Sequence, residues 1–226
     1  LRTRPVAPSD DAVQRTDAFD HDLADGSTDP LEVLRQLDEI GSPATIAMAG
    51  PRFFGFVIGG ALPVTVAATW LSTAWDQNTG SYLTASTAIP ERVALKWLLD
   101  LLKLPPECEG GFVSGATMAN FTALAAARSA VLKRAGWNVE ADGLFGAPPI
   151  TVIVGEEAHP TLLKSLGMLG LGRSRVLRCP VDGQGRMVPD RMPPLDGPAI
   201  VCTQAGNINT GAFDPIGEIA DRVHKS

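Results

Sequence analysis

Residues 150–170 have the sequence ITVIVGEEAHPTLLKSLGMLG, which carries the signals of a strand, a loop and a helix in that order. The β-branched run at residues 150–154 predicts a buried strand. Pro160 suits the first position of a helix and Gly170 its end, so this spacing predicts a helix over residues 160–169. A strand that is apolar at every position is typical of a parallel sheet covered by helices on both faces. The stretch therefore predicts an α/β fold.

The same alternation of short apolar runs and helical patterns continues on both sides of this stretch. Further strands are predicted at residues 111–113, 175–178 and 199–203, and further helices at residues 117–135, 189–195 and 214–223. Upstream, helices are predicted from Pro30, over residues 62–75 and over residues 90–104. The pattern predicts a mainly parallel sheet flanked by helices, in which ligands bind beyond the carboxyl ends of the strands.

Two domains are predicted from the composition along the chain. Residues 1–29 are rich in Asp, Pro, Ser and Thr and predict a mobile arm. This arm and the helical segment after it form a first domain over residues 1–86. Residues 87–226 form the first part of the α/β domain.

The overall composition excludes several classes of protein. The 226 residues carry a net charge of −6 and their Lys and Arg are scattered, which argues against binding to nucleic acid or to an anionic membrane surface. Cys108, Cys179 and Cys202 are odd in number and far apart, so neither a disulfide framework nor a metal site is expected. The polar N-terminus lacks the apolar run of a signal peptide, and a cytoplasmic protein fits these features best.

One uncharged stretch, residues 53–75, is long enough to raise the question of a membrane span. Gly55, Gly59, Gly60 and Pro63 interrupt it, and hydroxyl side chains make its second half amphipathic. The prediction is therefore a loop and a helix that are buried within the protein or between subunits, with a membrane anchor as the alternative.

The predicted strand at residues 111–113 leads into Ser114, Gly115, Ala116 and Thr117, at the start of a helix. Small residues let backbone N–H groups approach a ligand closely, and the amino end of a helix favours an anion such as phosphate. The two hydroxyl groups can add donors. The alternative is a plain strand-to-helix turn in which a Ser or Thr side chain caps the helix.

Two more loops follow predicted strands. His159 comes after the strand at residues 150–154, where an imidazole can lie over a planar ring or contact a carboxylate; a histidine bonded only to backbone is the alternative. Residues 204–215, QAGNINTGAFDP, supply amide and hydroxyl groups, and Asp214 among them is interpreted as the N-cap of the next helix. Because the carboxyl ends of parallel strands meet at one edge of a sheet, the three loops are predicted to serve one ligand.

These loops resemble the group II pyridoxal-dependent decarboxylases, which include glutamate, aromatic-amino-acid and histidine decarboxylases. The resemblance runs from about residue 51 to the C-terminus. It is carried by FVSGATMAN at residues 112–120, by His159 and by AGNINTGAFDP at residues 205–215. It implies the type I fold of pyridoxal 5'-phosphate (PLP) enzymes, which is that of aspartate aminotransferase, and PLP as the cofactor.

The resemblance also implies a role for each loop. Ala116 and Thr117 would hold the phosphate of PLP, His159 would stack on the pyridine ring as a catalytic residue, and Asn207 would face the edge of the cofactor. The full set of implied cofactor-binding residues is Ser114, Gly115, Ala116, Thr117, His159, Asn207 and Asn209. Gln77 and Asn78 lie where the family lines its substrate pocket.

The chain departs from the family pattern in three respects. Many relatives carry an acidic residue where this chain has Met118, so any polar role there is lost. The family's pyridine-pairing Asp and Schiff-base Lys follow the helix predicted here at residues 214–223, so both are expected beyond the C-terminus. His224 and Lys225 resemble the family's His-Lys pair, but cations are favourable in the last turn of a helix, and we interpret them as helix-terminal residues.

The activity that the resemblance implies is decarboxylation of an L-amino acid by a PLP enzyme of which this chain is the N-terminal half, inactive without the rest. Another reaction of the same fold, such as transamination or oxidative deamination, and a non-catalytic fragment are the alternatives. The family's members are homodimers with active sites at the subunit boundary, so a homodimer acting on a small amino acid is expected.

Overall fold

The computed structural model describes residues 5–56, 58–78 and 83–225, and the chain folds into two compact units, Leu1–Thr87 and Ala88–Ser226. The domain division predicted after residue 86 concerns the whole protein and stays a prediction.

The N-terminal unit consists of helices, two of which are capped by the side chain of the preceding residue. α1 spans Asp10–Gln14 and is capped by the side chain of Ser9, so part of the predicted arm is helical, and its mobility stays a prediction. α2 spans Pro30–Gln36, beginning at Pro30 as the sequence predicts, and is capped by Asp29; α3 spans Pro63–Trp75. Single turns of 3-10 or π helix are found at Arg15–Phe19, Leu37–Gly41 and Ser42–Ala44.

A fourth helix, α4, spans Ala85–Leu101. The prediction that it opens at Pro90 is wrong, because the helix begins at Ala85 and includes the proline. Pro90 has no N–H to donate, so one backbone hydrogen bond is missing near the start of this helix. Among the described residues, no helix is both long enough and apolar enough to cross a lipid bilayer.

The second unit is built on a three-stranded parallel sheet in the order β2-β1-β3. Its strands are β1 (Thr151–Gly155), β2 (Leu177–Cys179) and β3 (Ala199–Cys202). The helices around it are α5 (Ala116–Arg134), α6 (Val139–Asp142), α7 (Pro160–Met168) and α8 (Ile216–His224). The predicted α/β alternation with parallel strands is confirmed.

The central strand β1 is buried on both faces because helices cover both sides of the sheet. Val154 belongs to a cluster with Leu124 of α5 and Leu166 of α7, while the neighbouring Ile153 belongs to a second cluster with Ile219 of α8. Each such buried side chain contributes about 1.5–3 kcal/mol relative to exposure. The apolar run that predicted this strand therefore contributes side chains to both hydrophobic clusters, one on each face of the sheet.

α5 and α7 run side by side in the same direction. Near their amino ends, Nδ2 of Asn120 donates to Oγ1 of Thr161 at 3.2 Å. Towards the other end of α7, a guanidinium N–H of Arg128 donates to the carbonyl of Leu169 at 2.9 Å. Because β1 leads through a short loop directly into α7, both amino ends lie at the carboxyl edge of the sheet. The positive ends of two helix dipoles therefore point to that edge.

Two predicted elements of the second unit are absent or shorter in the structure. Residues 111–113 form no strand, and the side chains of Phe112 and Val113 are exposed, because none of the three described strands pairs with this segment. The helix predicted over residues 189–195 is a single 3-10 turn, Pro189–Arg191, since Pro193 and Pro194 cannot continue a helix.

Candidate active site

A cleft of about 220 Å³ opens at the carboxyl edge of the sheet, beyond the last residues of β1 and β3. Its lining includes Asn120 from α5, His159 from the loop after β1, and Gln204 from the loop after β3. The structure thus brings residues from all three predicted loop regions, or from the helix that directly follows one of them, to the same edge.

The amino end of α5 forms one side of this edge. The N-cap is Gly115, which has no side chain to bond the first turn, so the alternative of a Ser or Thr cap is wrong. Ser114 and Ala116 are exposed and Thr117 is half-buried. A Cβ placed on Gly115 would meet no atom within 4 Å, so the space beside this backbone is open.

His159 forms the N-cap of α7 and lines the cleft. Its Nδ1 accepts the backbone N–H of Thr161 at 3.3 Å and lies 2.8 Å from Oγ1 of the same residue. The hydrogen bond to backbone that was the alternative role for this histidine is therefore present, and the residue also lines the cleft. One ring nitrogen is committed to the helix, and the rest of the ring is exposed.

Three polar side chains behind His159 were not predicted from the sequence: Asn120, Thr161 and Ser165. Ser165 is fully buried, and its Oγ lies 3.1 Å from the carbonyl of Thr117 and 2.9 Å from that of Thr161. It thereby fixes α7 against the first turn of α5. The signal that could have revealed it is the pair of hydroxyl residues, Thr161 and Ser165, spaced four apart on one face of the helix.

Asn207 lies in the third loop, but its side chain is occupied within the protein. It is 4% exposed; its Nδ2 donates to Oε2 of Glu157 at 2.7 Å, and its Oδ1 accepts the N–H groups of Asn209 at 2.9 Å and Thr210 at 3.3 Å. The residue joins the loop after β3 to the loop after β1. A contact of Asn207 or Asn209 with a cofactor stays a prediction.

A tight turn packs against this pair. The carboxylate of Asp182 accepts the backbone N–H groups of Arg186 at 3.0 Å and Gln184 at 2.8 Å, and the Arg186 guanidinium pairs with it at 2.8 Å. These hydrogen bonds, first of all those from Arg186, hold the pKa of Asp182 below its ordinary value. The turn places Gly185 with φ of +77° directly over the Glu157–Asn207 hydrogen bond.

Replacing Gly185 by alanine is expected to destabilise the sheet unit by about 2–4 kcal/mol. The new Cβ would overlap Nδ2 of Asn207 and lie 2.5 Å from Oε2 of Glu157, so the turn must move or the hydrogen bond must break. The positive φ adds strain for any L side chain. Hydrogen–deuterium exchange of the β1 amides measures this, because their protection reports the unfolding of the sheet.

Gly183 offers a matched control in the same turn. A Cβ there would meet nothing within 4 Å, so Gly183→Ala is expected to change the protection of β1 by less than about 1 kcal/mol. Equal effects of the two substitutions would contradict the packing of Gly185 against Asn207.

Asp214 is not the N-cap that the sequence predicted. It is buried, and its two carboxylate oxygens accept the N–H of Met187 at 2.8 Å and of Gln204 at 2.6 Å. The N-cap of α8 is Pro215, without a side-chain bond. Asp214 instead fastens the end of the turn segment to the end of β3, where it supports the wall of the cleft.

Cys202, at the end of β3, also lines the cleft. Burial raises the pKa of its thiol to about 11. The group is therefore a neutral, weakly polar part of the wall near neutral pH and has little thiolate character.

Lys225 lies away from the cleft. It is the C-cap of α8, and the adjacent His224 lines a surface groove together with Ala199 at the start of β3, which is the opposite edge of the sheet. The interpretation of this pair as helix-terminal residues is confirmed. Gln77 and Asn78 follow α3 in the N-terminal unit, where Gln77 Nε2 donates to the carbonyl of Trp75 at 2.7 Å; their place in a substrate pocket stays a prediction.

The residues present fit the phosphate and ring of PLP. Open backbone at Gly115, the positive ends of α5 and α7, and the hydroxyl groups of Ser114 and Thr117 suit a phosphate dianion. The exposed face of the His159 ring suits a planar aromatic group. Among the described residues that line the cleft there is no lysine. The cleft has one buried carboxylate among these residues, that of Asp214, and both of its oxygens already accept backbone N–H groups.

Comparison with curated proteins identifies homologues among amino-acid decarboxylases. The chain is 26% identical to the aromatic-L-amino-acid decarboxylase of Bacillus atrophaeus over 230 residues, and 27% identical to the acidic amino acid decarboxylase GADL1 of Bos taurus over 180 residues. These alignments cover 98% and 76% of this chain, but 46% and 34% of the relatives. The chain thus spans less than half the length of the relatives it matches. No protein-family model matches it.

Solved structures show the same fold. Mouse CSAD superposes with a TM-score of 0.83 at 21% identity, and tryptophan decarboxylase of Oryza sativa, solved with PLP and tryptamine, with 0.81 at 22% identity. Each superposition covers 99% of this chain and 48% of the other. The type I fold predicted from the sequence, and its resemblance to the N-terminal portion of these decarboxylases, are confirmed.

Proposed function

We propose that the whole protein is a PLP-dependent decarboxylase of an L-amino acid and that these residues form its phosphate- and ring-binding half. The observation that carries the proposal is the meeting of the α5 amino end and the His159 ring at one edge of a parallel sheet. The homologues named above, all amino-acid decarboxylases, favour this reaction over others of the fold.

Bound PLP would supply the electron sink that makes loss of carbon dioxide feasible. The residues of this chain bind and orient. The first-turn N–H groups of α5 and the Thr117 hydroxyl would hold the phosphate, and the His159 ring would hold the pyridine plane. The buried bonds of Asp214 and Asn207 keep the loops after β1 and β3 in place around the cleft.

The test is a screen of the full-length protein with PLP and each common L-amino acid. We expect a PLP absorbance band that borohydride abolishes, and release of one carbon dioxide for each amine formed with at least one amino acid. An aldehyde product would assign a different reaction to the same cofactor. A full-length protein that neither binds PLP nor releases carbon dioxide would contradict the proposal.

A variant pair sharpens this test. Thr117→Val removes a hydroxyl while keeping the volume, and we expect an affinity for PLP that is about ten- to a hundredfold weaker, since one hydrogen bond to a charged group contributes about 1.5–3 kcal/mol. Thr122→Val, on the same helix but exposed, is the control and is expected to bind PLP normally.

We further propose that the protein is a cytoplasmic homodimer with its active site at the subunit boundary. The N-terminal unit leaves apolar side chains of α3 exposed, among them Val64 at 69% and Trp70 at 71%, and such faces are typical of association surfaces. Sedimentation of the full-length protein as a dimer is the expected result, and a monomer would contradict this part of the proposal.

A further inference from the structure

His159 occupies a position that is unusual for its residue type. Helix N-caps are mostly Ser, Thr, Asp or Asn, whose side-chain oxygens accept a first-turn N–H. In α7 the acceptor is Nδ1 of His159, 3.3 Å from the N–H of Thr161. A ring nitrogen can accept a hydrogen bond only when it carries a lone pair, so this contact requires an unprotonated Nδ1.

The hydroxyl of Thr161 adds a second constraint. Its Oγ1 lies 2.8 Å from Nδ1 of His159 and 3.2 Å from Nδ2 of Asn120. The Asn120 amide donates to the hydroxyl oxygen. Because the Thr161 N–H requires a lone pair on Nδ1, the hydroxyl must be the donor in its own contact with that nitrogen. With a proton on Nδ1, the Thr161 backbone N–H would face another N–H. All three contacts are favourable together only if Nδ1 accepts and the ring proton sits on Nε2.

Asn120 and Thr161 are themselves held by the helix pair. Ser165 is fully buried and bridges the first turn of α5 to α7, with Oγ 3.1 Å from the carbonyl of Thr117 and 2.9 Å from that of Thr161. The hydrogen-bonded chain from Asn120 through Thr161 to His159, called the relay below, is therefore fixed to the first turn of α5, which also carries the candidate phosphate-binding residues.

We propose that Asn120 and Thr161 are positioning residues that fix the tautomer and the plane of the His159 ring, with the proton on Nε2. Their importance for catalysis rests on the proposed function, because a planar cofactor can stack in one orientation only if the His159 ring is itself fixed. The tautomer itself does not depend on that function, so the two can fail separately.

The experiment is nitrogen-15 NMR of the imidazoles in the full-length protein without added cofactor, at a pH where they are neutral. Comparison with His159→Gln assigns the signals of His159. We expect Nδ1 to give the signal of an unprotonated nitrogen and Nε2 that of an N–H. A dominant Nδ1–H form would overturn the proposal.

Variants then test the two positioning residues. Thr161→Val keeps the volume but removes the hydroxyl, and we expect the Nδ1–H fraction to rise at least several-fold; Thr161→Ser should restore the original spectrum. Asn120→Ala should give a smaller rise, since it acts through Thr161. Unchanged populations in Thr161→Val would overturn the role of the hydroxyl, and unchanged populations in Asn120→Ala would remove that residue from the relay. If Thr161→Val does not fold, the tautomer of the unmodified chain and the spectrum of Thr161→Ser still decide.

Discussion

Replacing Asp214 by alanine is expected to destabilise the sheet unit by about 3–5 kcal/mol, because two hydrogen bonds to a buried carboxylate are lost at about 1.5–3 kcal/mol each. The N–H of Met187 loses its acceptor in a buried place, and the N–H of Gln204 in a partly buried one. Exchange of the β1 amides should accelerate at least a hundredfold, since each 1.4 kcal/mol corresponds to about a factor of ten.

Two further substitutions serve as comparisons for Asp214→Ala. Asp214→Asn keeps the volume and one acceptor oxygen but turns an amide NH2 towards a backbone donor, so we expect an intermediate loss of about 2–3 kcal/mol. Asp221→Ala removes an exposed carboxylate of α8 and is expected to stay within about 0.5 kcal/mol of the unmodified chain. Equal stabilities of Asp214→Ala and Asp221→Ala would show that the hydrogen bonds of Asp214 to Met187 and Gln204 do not stabilise the sheet unit.

Replacing His159 by alanine is expected to lower the turnover of the full-length protein about a hundredfold or more, as misplacement of a reacting group by about 1 Å does. The substitution removes the ring that would hold the cofactor plane. It also removes the cap of α7, so stability and turnover would fall together.

A pair of substitutions at the same position separates these two effects. His159→Asn restores a good helix cap without a ring, and we expect near-normal stability with low turnover. His159→Phe keeps a planar ring without the Nδ1 acceptor, and we expect it to lose about 1 kcal/mol of stability while binding PLP better than His159→Asn. His224→Ala, at the opposite edge of the sheet, should leave turnover unchanged. Full turnover in His159→Asn would remove the stacking role.

The part of the fold that the sequence could predict is the part set by local pattern. The β-branched run at residues 150–154, Pro160 and Gly170 each act within a few residues of themselves, and the strand and helix they predict are present. Phe112 and Val113 look equally strand-like, but a strand also needs a neighbour, which local pattern does not supply.

The site divides in the same way. His159 could be placed at the cleft from its position after a strand, because that edge is set by topology. The bond between Asn120 and Thr161 joins side chains 41 residues apart and depends on how α5 and α7 align, so no local pattern announces it. Asp214 shows the opposite case. Its position before a helix favours a capping role, but its carboxylate instead accepts the N–H groups of Met187 and Gln204, which local sequence does not indicate.

The parallel alignment of α5 and α7 has a consequence for how this site can change over evolutionary time. If the phosphate is held mainly by main-chain N–H groups at a helix end, most side chains there, apart from that of Thr117, can change without loss of the site. Insertions or deletions inside the first turns of α5 and α7, or in the short loop that joins β1 to α7, have no such freedom, because they would shift one helix end past the other. The relative position of the two helix ends, more than the type of each side chain, is therefore what a functional variant of this site must keep.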